Sequence, residues 1–302
     1  MPALAGDDRL RVVLDGALAA RGTPRSDAAS GSDAGAAPAG LHWDAAFFDL
    51  PGIGAFRAAT PDIQRAVAAR CGEAILHEAL HIETIGMAYA AKMLLLSETV
   101  EERMLYAAIA AEEASHLAGV GAFVARRPAE GPFLALLGEL VATGDRATLV
   151  LVVQVVLEGW GLDHYRALAR SCRTPALTTV LDGILRDEAR HHGSGVLLAP
   201  RLGAGEAAVE ALTAFCDLVR VGPQGVLGAI EAEVGPLGLA GRARALDALG
   251  GEDHAGRRLV LLRALLAKAG ADQVIDALAA RGRFTPMTVE RAAAMGMDGE
   301  VA

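Results

Sequence analysis

Aromatic residues make up only 4% of this chain, and cysteine occurs three times, at Cys71, Cys172 and Cys216, with no Cys-x-x-Cys. So few aromatics disfavour a β-sandwich core and favour close-packed helices. Scattered cysteines build neither a disulfide framework nor a rubredoxin-type iron centre, and they fit a reducing cytoplasm. Basic residues never cluster beyond the pairs Arg126-Arg127 and Arg257-Arg258, and the net charge is −9. Nucleic acid is therefore not an expected partner. Long apolar runs are missing too. The longest, residues 147–157, contains Gln154 and stops at Glu158, well short of the ~20 residues needed to span a bilayer. Asp7, Asp8 and Arg9 stand where a signal peptide has its apolar centre. The expectation is a cytoplasmic protein without a membrane partner.

What the chain does have is a 53% hydrophobic composition over 302 residues, much of it alanine. Residues 8–20 read as a short amphipathic helix, and residues 21–40 as an Ala/Gly/Ser linker with almost nothing to bury. Trp43, Phe47, Phe48 and Phe56 mark residues 41–56 as a strap against the main body. Thr60-Pro61 is a helix start, Thr as N-cap and Pro in the first turn, for a helix to about Ser97. Thr99-Val-Glu-Glu102 is a capping box for a second helix to about Ala125. A short crossover helix covers 132–142, a third long helix 146–171, and Thr174-Pro175 starts a fourth that ends near Leu198. The valine-rich run 149–157 would suit a buried strand, but its counterpart around residue 80 is helical. Helical patterns continue through 205–222, 223–234, 241–249 and 257–281 with no chemistry visible in them. The chain reads as all-α: residues 1–40 as an N-terminal appendage, 41–200 as a four-helix bundle, 201–302 as an accessory helical region.

The chemistry lies in a repeat. Glu113-x-x-His116 and Glu188-x-x-His191 are 75 residues apart, and Glu83 and Glu158 each precede one of them by 30. Chance pairing of 19 Glu and 8 His predicts fewer than one Glu-x-x-His; there are three. Glu83 and Glu158 lie 14 residues before the hairpin positions Ser97 and Cys172, and Glu113 and Glu188 lie 14 after Thr99 and Thr174. At ~1.5 Å per residue all four acids stand roughly 21 Å from their turns, so they converge at one level. Buried carboxylates require cations or protons, and two divalent metals would match four of them. Oxygen-rich ligation with one imidazole per metal suits iron or manganese better than zinc. The third pair, Glu78 and His81, has no counterpart in the other repeat, where the equivalent residues are Val153 and Val156, and it sits more than a turn from the shared level. It is read as lying outside the ligands, with an extra ligand as the alternative. Gly86 and Gly161, in mid-helix, either leave room for O2 or substrate or allow close helix packing. With Met87 and Trp160 they outline the expected pocket, and Gln154 either lines it or binds water.

The pattern Glu…Glu-x-x-His…Glu…Glu-x-x-His over residues 61–198 resembles the ferritin-like di-iron carboxylate superfamily. That resemblance implies a ferritin-like four-helix bundle with a crossover between its second and third helices. It also implies Glu83, Glu113, His116, Glu158, Glu188 and His191 as ligands, with Glu113 and Glu188 bridging. The run Asp187-Glu188-Ala-Arg190-His191 is similar to the Asp-Glu-x-Arg-His motif of bacterial di-iron monooxygenases. By that analogy Asp187 orients His116 and Glu112 orients His191. The implied activity is oxygenation or oxidation of a small organic substrate by two iron ions (manganese is possible) with O2 as co-substrate. An external electron donor such as a reductase or ferredoxin is then needed, and a homodimer is possible. The alternatives are a ferroxidase or iron-handling protein, a manganese-catalase-like protein, and a non-enzymatic, metal-stabilised helical binding protein.

Overall fold

The computed structural model describes residues 8–10, 12–13, 16, 41–124 and 132–295, and every regular element among them is helical. The expected linker 21–40 and much of the expected helix 8–20 lie outside the described residues. Four long helices carry the structure: α1 (Pro61–Leu96), α2 (Val100–Gly121), α4 (Arg146–Ser171) and α5 (Pro175–Leu202). The crossover α3 (Pro132–Thr143) joins the two hairpins. Beyond them lie α6 (Glu206–Arg220), α7 (Gln224–Val234), α8 (Gly238–Ala248), α9 (Gly251–Lys268), α10 (Asp272–Ala280) and α11 (Val289–Met295).

Local chemistry explains several helix ends. Thr60 accepts a hydrogen bond from the Ile63 amide, with Pro61 at the first helical position. Thr99 and Glu102 form a complete capping box. Glu102 also accepts from Arg146 Nη2 at 2.8 Å, which ties the start of α4 to the start of α2. Lys92 donates to the carbonyls of Val141 and Gly144 at 2.8 Å, a cation on the C-terminal end of α3 where the helix dipole favours it. α2 stops at Gly121, short of the expected Ala125, because the chain tightens there and the Phe123 amide bonds back to Val120. The single helix expected over 257–281 is instead two. Gly270 takes φ 69° between α9 and α10, a left-handed turn that ends helices and that glycine adopts without strain.

The strap folds as two 3-10 turns and a five-residue helix, with Trp43, Phe48 and Phe56 buried. Trp43 Nε1 donates to Leu168 O at 2.9 Å, and His42 Nδ1 lies 2.9 Å from Thr174 Oγ1. Thr174 therefore holds the strap instead of capping α5, where its side chain makes no bond.

α4 departs from a regular helix. Over Val150–Leu157 its backbone is π-helical, and the Glu158 amide bonds to Val153 O, five residues back. Such wide turns leave carbonyls poorly served, and His192 meets them, its Nδ1 lying 3.1 Å from Val155 O and 3.3 Å from Gln154 O. Gln154, fully buried in the same stretch, is a polar hub. It accepts from the hydroxyls of Tyr89 and Tyr106, both at 2.8 Å, and donates to Ser194 Oγ and to the His191 carbonyl.

After α5, helices α6, α9 and α10 share one core with the long helices. One apolar cluster joins Tyr89, Met93 and Val152 to Phe215, Leu262 and Leu266. By length and composition α1 and α4 would reach across a bilayer, which the run 147–157 alone does not. In the fold, 61% of the apolar window of α4 and 33% of that of α1 are buried inside the protein.

Gln154→Leu removes the acceptor of two buried tyrosine hydroxyls and a donor to Ser194 at once. Two-state denaturation should show a loss of roughly 3 kcal/mol, the scale of leaving two or three buried donors unmet. A loss below about 0.5 kcal/mol would contradict the hub.

Candidate metal centre

The four long helices bring all six residues of the repeated pattern together. Glu83, Glu113, His116 and Glu188 form one donor group and Glu113, Glu158 and His191 a second. Within each, the donor atoms lie within 4.8 Å of one another, close enough to hold one metal ion. Glu113 belongs to both, and Glu188 reaches both histidines, 3.8 Å from His116 Nδ1 and 3.7 Å from His191 Nδ1. All are buried except Glu158, which is half-buried.

Both imidazoles turn Nδ1 toward the carboxylates and Nε2 away. His116 Nε2 lies 3.0 Å from Asp187 Oδ2, and His191 Nε2 lies 2.8 Å from Glu112 Oε2. These are the two pairings the resemblance implies. Arg190 donates to both Glu112 and Asp187, so one guanidinium joins the two orienting acids. Tyr165, an aromatic residue shortly after Glu158 on α4, donates its hydroxyl to Glu83 Oε1 at 2.6 Å.

The residues fit a pair of metal ions on their own geometry. Glu158 Oε2 and His191 Nδ1 are buried without a hydrogen-bond partner. His191 Nδ1 comes within 3.2 Å of Glu113 Oε1 but is not aligned to bond it. A cation is the partner that would satisfy both orphans, and carboxylates with one imidazole per group suit iron or manganese.

Other expected residues fall differently. The mid-helix glycine at 86 makes room for a ligand, because a Cβ there would stand 2.6 Å from Glu113 Oε2. At Gly161 a Cβ would meet only the Tyr165 ring, at 3.9 Å. A cavity of about 140 Å³ opens beside the carboxylates, lined by Gly86, Gly161 and Trp160 among others. Met87 is half-buried and outside that lining. Gln154 is outside it as well, and its side-chain bonds go to the tyrosines, Ser194 and the backbone of His191. Glu78 is exposed and lines the cavity, while His81 Nε2 is buried without a partner. Neither belongs to the two donor groups. Three contributors were not singled out from the sequence: His192, Tyr165 as a partner of Glu83, and Arg258 in the lining. The adjacent pair His191-His192 in a buried helix was the one available signal. Comparison with protein-family models, with curated proteins and with solved structures returned no match.

Without metal the site holds protons. Burial lifts the Glu113 carboxyl to about 8, helped by the neighbouring Glu188 and Glu83. Burial lowers His116, but its bonds to Asp187 and Glu83 outweigh that and raise it to about 10. A histidine raised from 6.5 contributes stability that is complete below pH 6.5 and lost as pH climbs through 10. A glutamic acid raised from 4.5 loses its contribution between 4.5 and 8. Both have the same sign, so the Tm of metal-free protein should fall from pH 6 to pH 9. Metal binding expels these protons, so metal-loaded protein should show little of that fall and its affinity should rise with pH. Differential scanning calorimetry at several pH values decides, and a flat metal-free profile would overturn the proton-filled site.

Gly86→Ala separates the two readings of that glycine. Alanine favours a helix interior by about 1 kcal/mol, so metal-free protein should be no less stable. Glu113 must move, and metal affinity measured by equilibrium dialysis should drop at least tenfold. Unchanged affinity would return Gly86 to mere helix packing.

Proposed function

We propose that the protein is a ferritin-like four-helix-bundle enzyme that uses two iron ions to activate O2 and oxygenate or oxidise a small organic substrate. The observation that carries this reading is the pair of donor groups sharing Glu113 beside a cavity, with both imidazoles held from behind. When bound, the two ferrous ions supply electrons and open coordination positions for O2. Everything else is work for the chain's own side chains.

Asp187 and Glu112 fix which imidazole nitrogen points inward, and Arg190 holds both acids in place. Such partners typically decide ligand orientation and basicity. Tyr165 pins one oxygen of Glu83 and keeps its proton, because burial and then the Glu83 charge raise its pKa well above the ordinary value. Glu158 is half-buried and one of its oxygens has no partner, so it is the carboxylate freest to change position as the metals change charge. The apolar part of the lining, including Ile85, Phe133, Leu137 and Leu157, keeps bulk water from the reacting face. An external reductant completes the reading, since the sequence carries no flavin or iron–sulfur element.

The test is an anaerobic Fe(II) titration of the metal-free protein followed by O2. Saturation at two irons per chain, with O2 consumed and both irons oxidised, is expected, and Glu113→Ala should abolish it. No iron binding would overturn the metal centre. Uptake continuing far beyond two would make the protein an iron store. Two irons that ignore O2 would move the reading to manganese and peroxide.

A further inference from the structure

The cavity is longer than the metal cluster needs. On α1 its lining runs from Glu78 to Gly86, and on α4 from Val153 to His164, roughly 12 Å and 16 Å of helix at 1.5 Å per residue. The carboxylates Glu113, Glu158 and Glu188 lie along it, level with the middle of those spans. One end is apolar, with Ile85, Val153 and Leu137. The other carries Glu78, His164 and Arg258, the last contributed by α9.

Arg258 is an unusual wall. Its guanidinium sits 5.4 Å from the Trp160 ring centroid, and its carbonyl accepts from Trp160 Nε1 at 3.3 Å, so backbone and side chain are both fixed against one indole. Among the described residues no carboxylate closes an ion pair with it, and Glu78 attracts it only at longer range. It is exposed where it lines the cavity. The same charge helps hold two neighbouring histidines neutral: burial first, then Arg258, depresses both His164, to about 4, and His254. Arg258 is the one Lys or Arg in the lining, set beside Glu78 and a neutral His164 in a protein whose net charge is −9.

We propose that the cavity binds a small monocarboxylate with an apolar body, its carboxylate on Arg258 and its body beside Glu113, Glu158 and Glu188. A guanidinium already held over an indole presents its N–H groups as a fork matched to a carboxylate. Glu78 disfavours a dianion at the same place. The size follows from the volume: about 140 Å³ is close to the ~150 Å³ that accepts benzene in an engineered apolar cavity. Glu78 precedes Glu83 by five residues, ~7.5 Å of helix, so the far end of a six-carbon chain or a benzene ring would lie at the metal level. This inference names the substrate class of the proposed enzyme, and only the chemistry done on that substrate rests on the di-metal reading.

Calorimetric titration of the full chain, metal-free and Zn(II)-loaded, with hexanoate and benzoate against hexanamide and benzamide tests it. Each acid should bind about tenfold or more tighter than its amide. Arg258→Gln should erase that preference while leaving amide binding and the melting temperature in place, and Arg258→Lys should keep part of it. Glu78→Gln should tighten acid binding severalfold. Equal binding of acid and amide, a preference that survives Arg258→Gln, or no binding of either would overturn the inference. Metal content of the same samples separates the two readings. Two metals without an acid preference remove only the substrate class. An Arg258-dependent preference in a chain that binds no metal removes the di-metal enzyme and leaves the carboxylate site.

Discussion

Charge balance inside the four long helices is the constraint on which the rest depends. Six acids crowd the centre: Glu83, Glu113, Glu158 and Glu188, with Glu112 and Asp187 behind the histidines. Facing them are one guanidinium, Arg190, and two imidazoles. With both imidazoles protonated three negative charges still lack a partner, a large penalty at this depth. Protons on Glu113 and Glu158, both raised by burial first and by neighbouring carboxylates after it, are one remedy. Two divalent cations with neutral imidazoles are the other, and they leave a single negative charge. The second remedy also satisfies the orphaned Glu158 and His191 atoms, which protons alone do not. Helix packing, capping and the strap all serve to hold that centre at one level.

Much of this was legible in the sequence because it is written locally. Thr60-Pro61 and Thr99…Glu102 are short signals with one physical meaning each, Thr174-Pro175 marks a third start, and the helices begin where they stand. The six clustered residues were legible for a different reason. A repeat of acids at a fixed offset is a long-range constraint that happens to be visible in one dimension. Where sequence reading stopped, the determining contact was tertiary. Nothing near Gly86 announces that the space above it belongs to Glu113, 27 residues away in the partner helix. Thr174 looks like a cap and acts as a strap anchor because His42 competes for its hydroxyl. The π-helical stretch in α4 is favoured by His192 and Gln154, whose bonds to distant groups no periodicity encodes.

The helices after α5 give the clearest case. Their apolar patterns predict packing and nothing more, and Arg258 in an Arg-Arg pair reads as solvated surface. Its position follows from how closely α9 approaches α4. A Cβ on Gly159 would stand 2.6 Å from Leu265 Cδ2, so glycine lets the Leu265 side chain of α9 close on α4 there. Two turns away on α9, the approach brings Arg258 over the indole of Trp160, the residue next to Gly159. The spacing that seals the core thus also sets a charge on the cavity wall.

The repeat itself explains why the cavity lies on one side. Gly86 and Gly161 are equivalent under the 75-residue offset, yet their spaces are used differently. Above Gly86 the room is filled by the Glu113 carboxylate, whereas above Gly161 it is open to within 3.9 Å of the Tyr165 ring. Tyr165 corresponds to Ala90 and Glu78 to Val153, so the polar fittings occur once each. The six residues of the two candidate donor groups stay in register between the halves, while positions one to two turns away, such as Glu78 and Tyr165, differ.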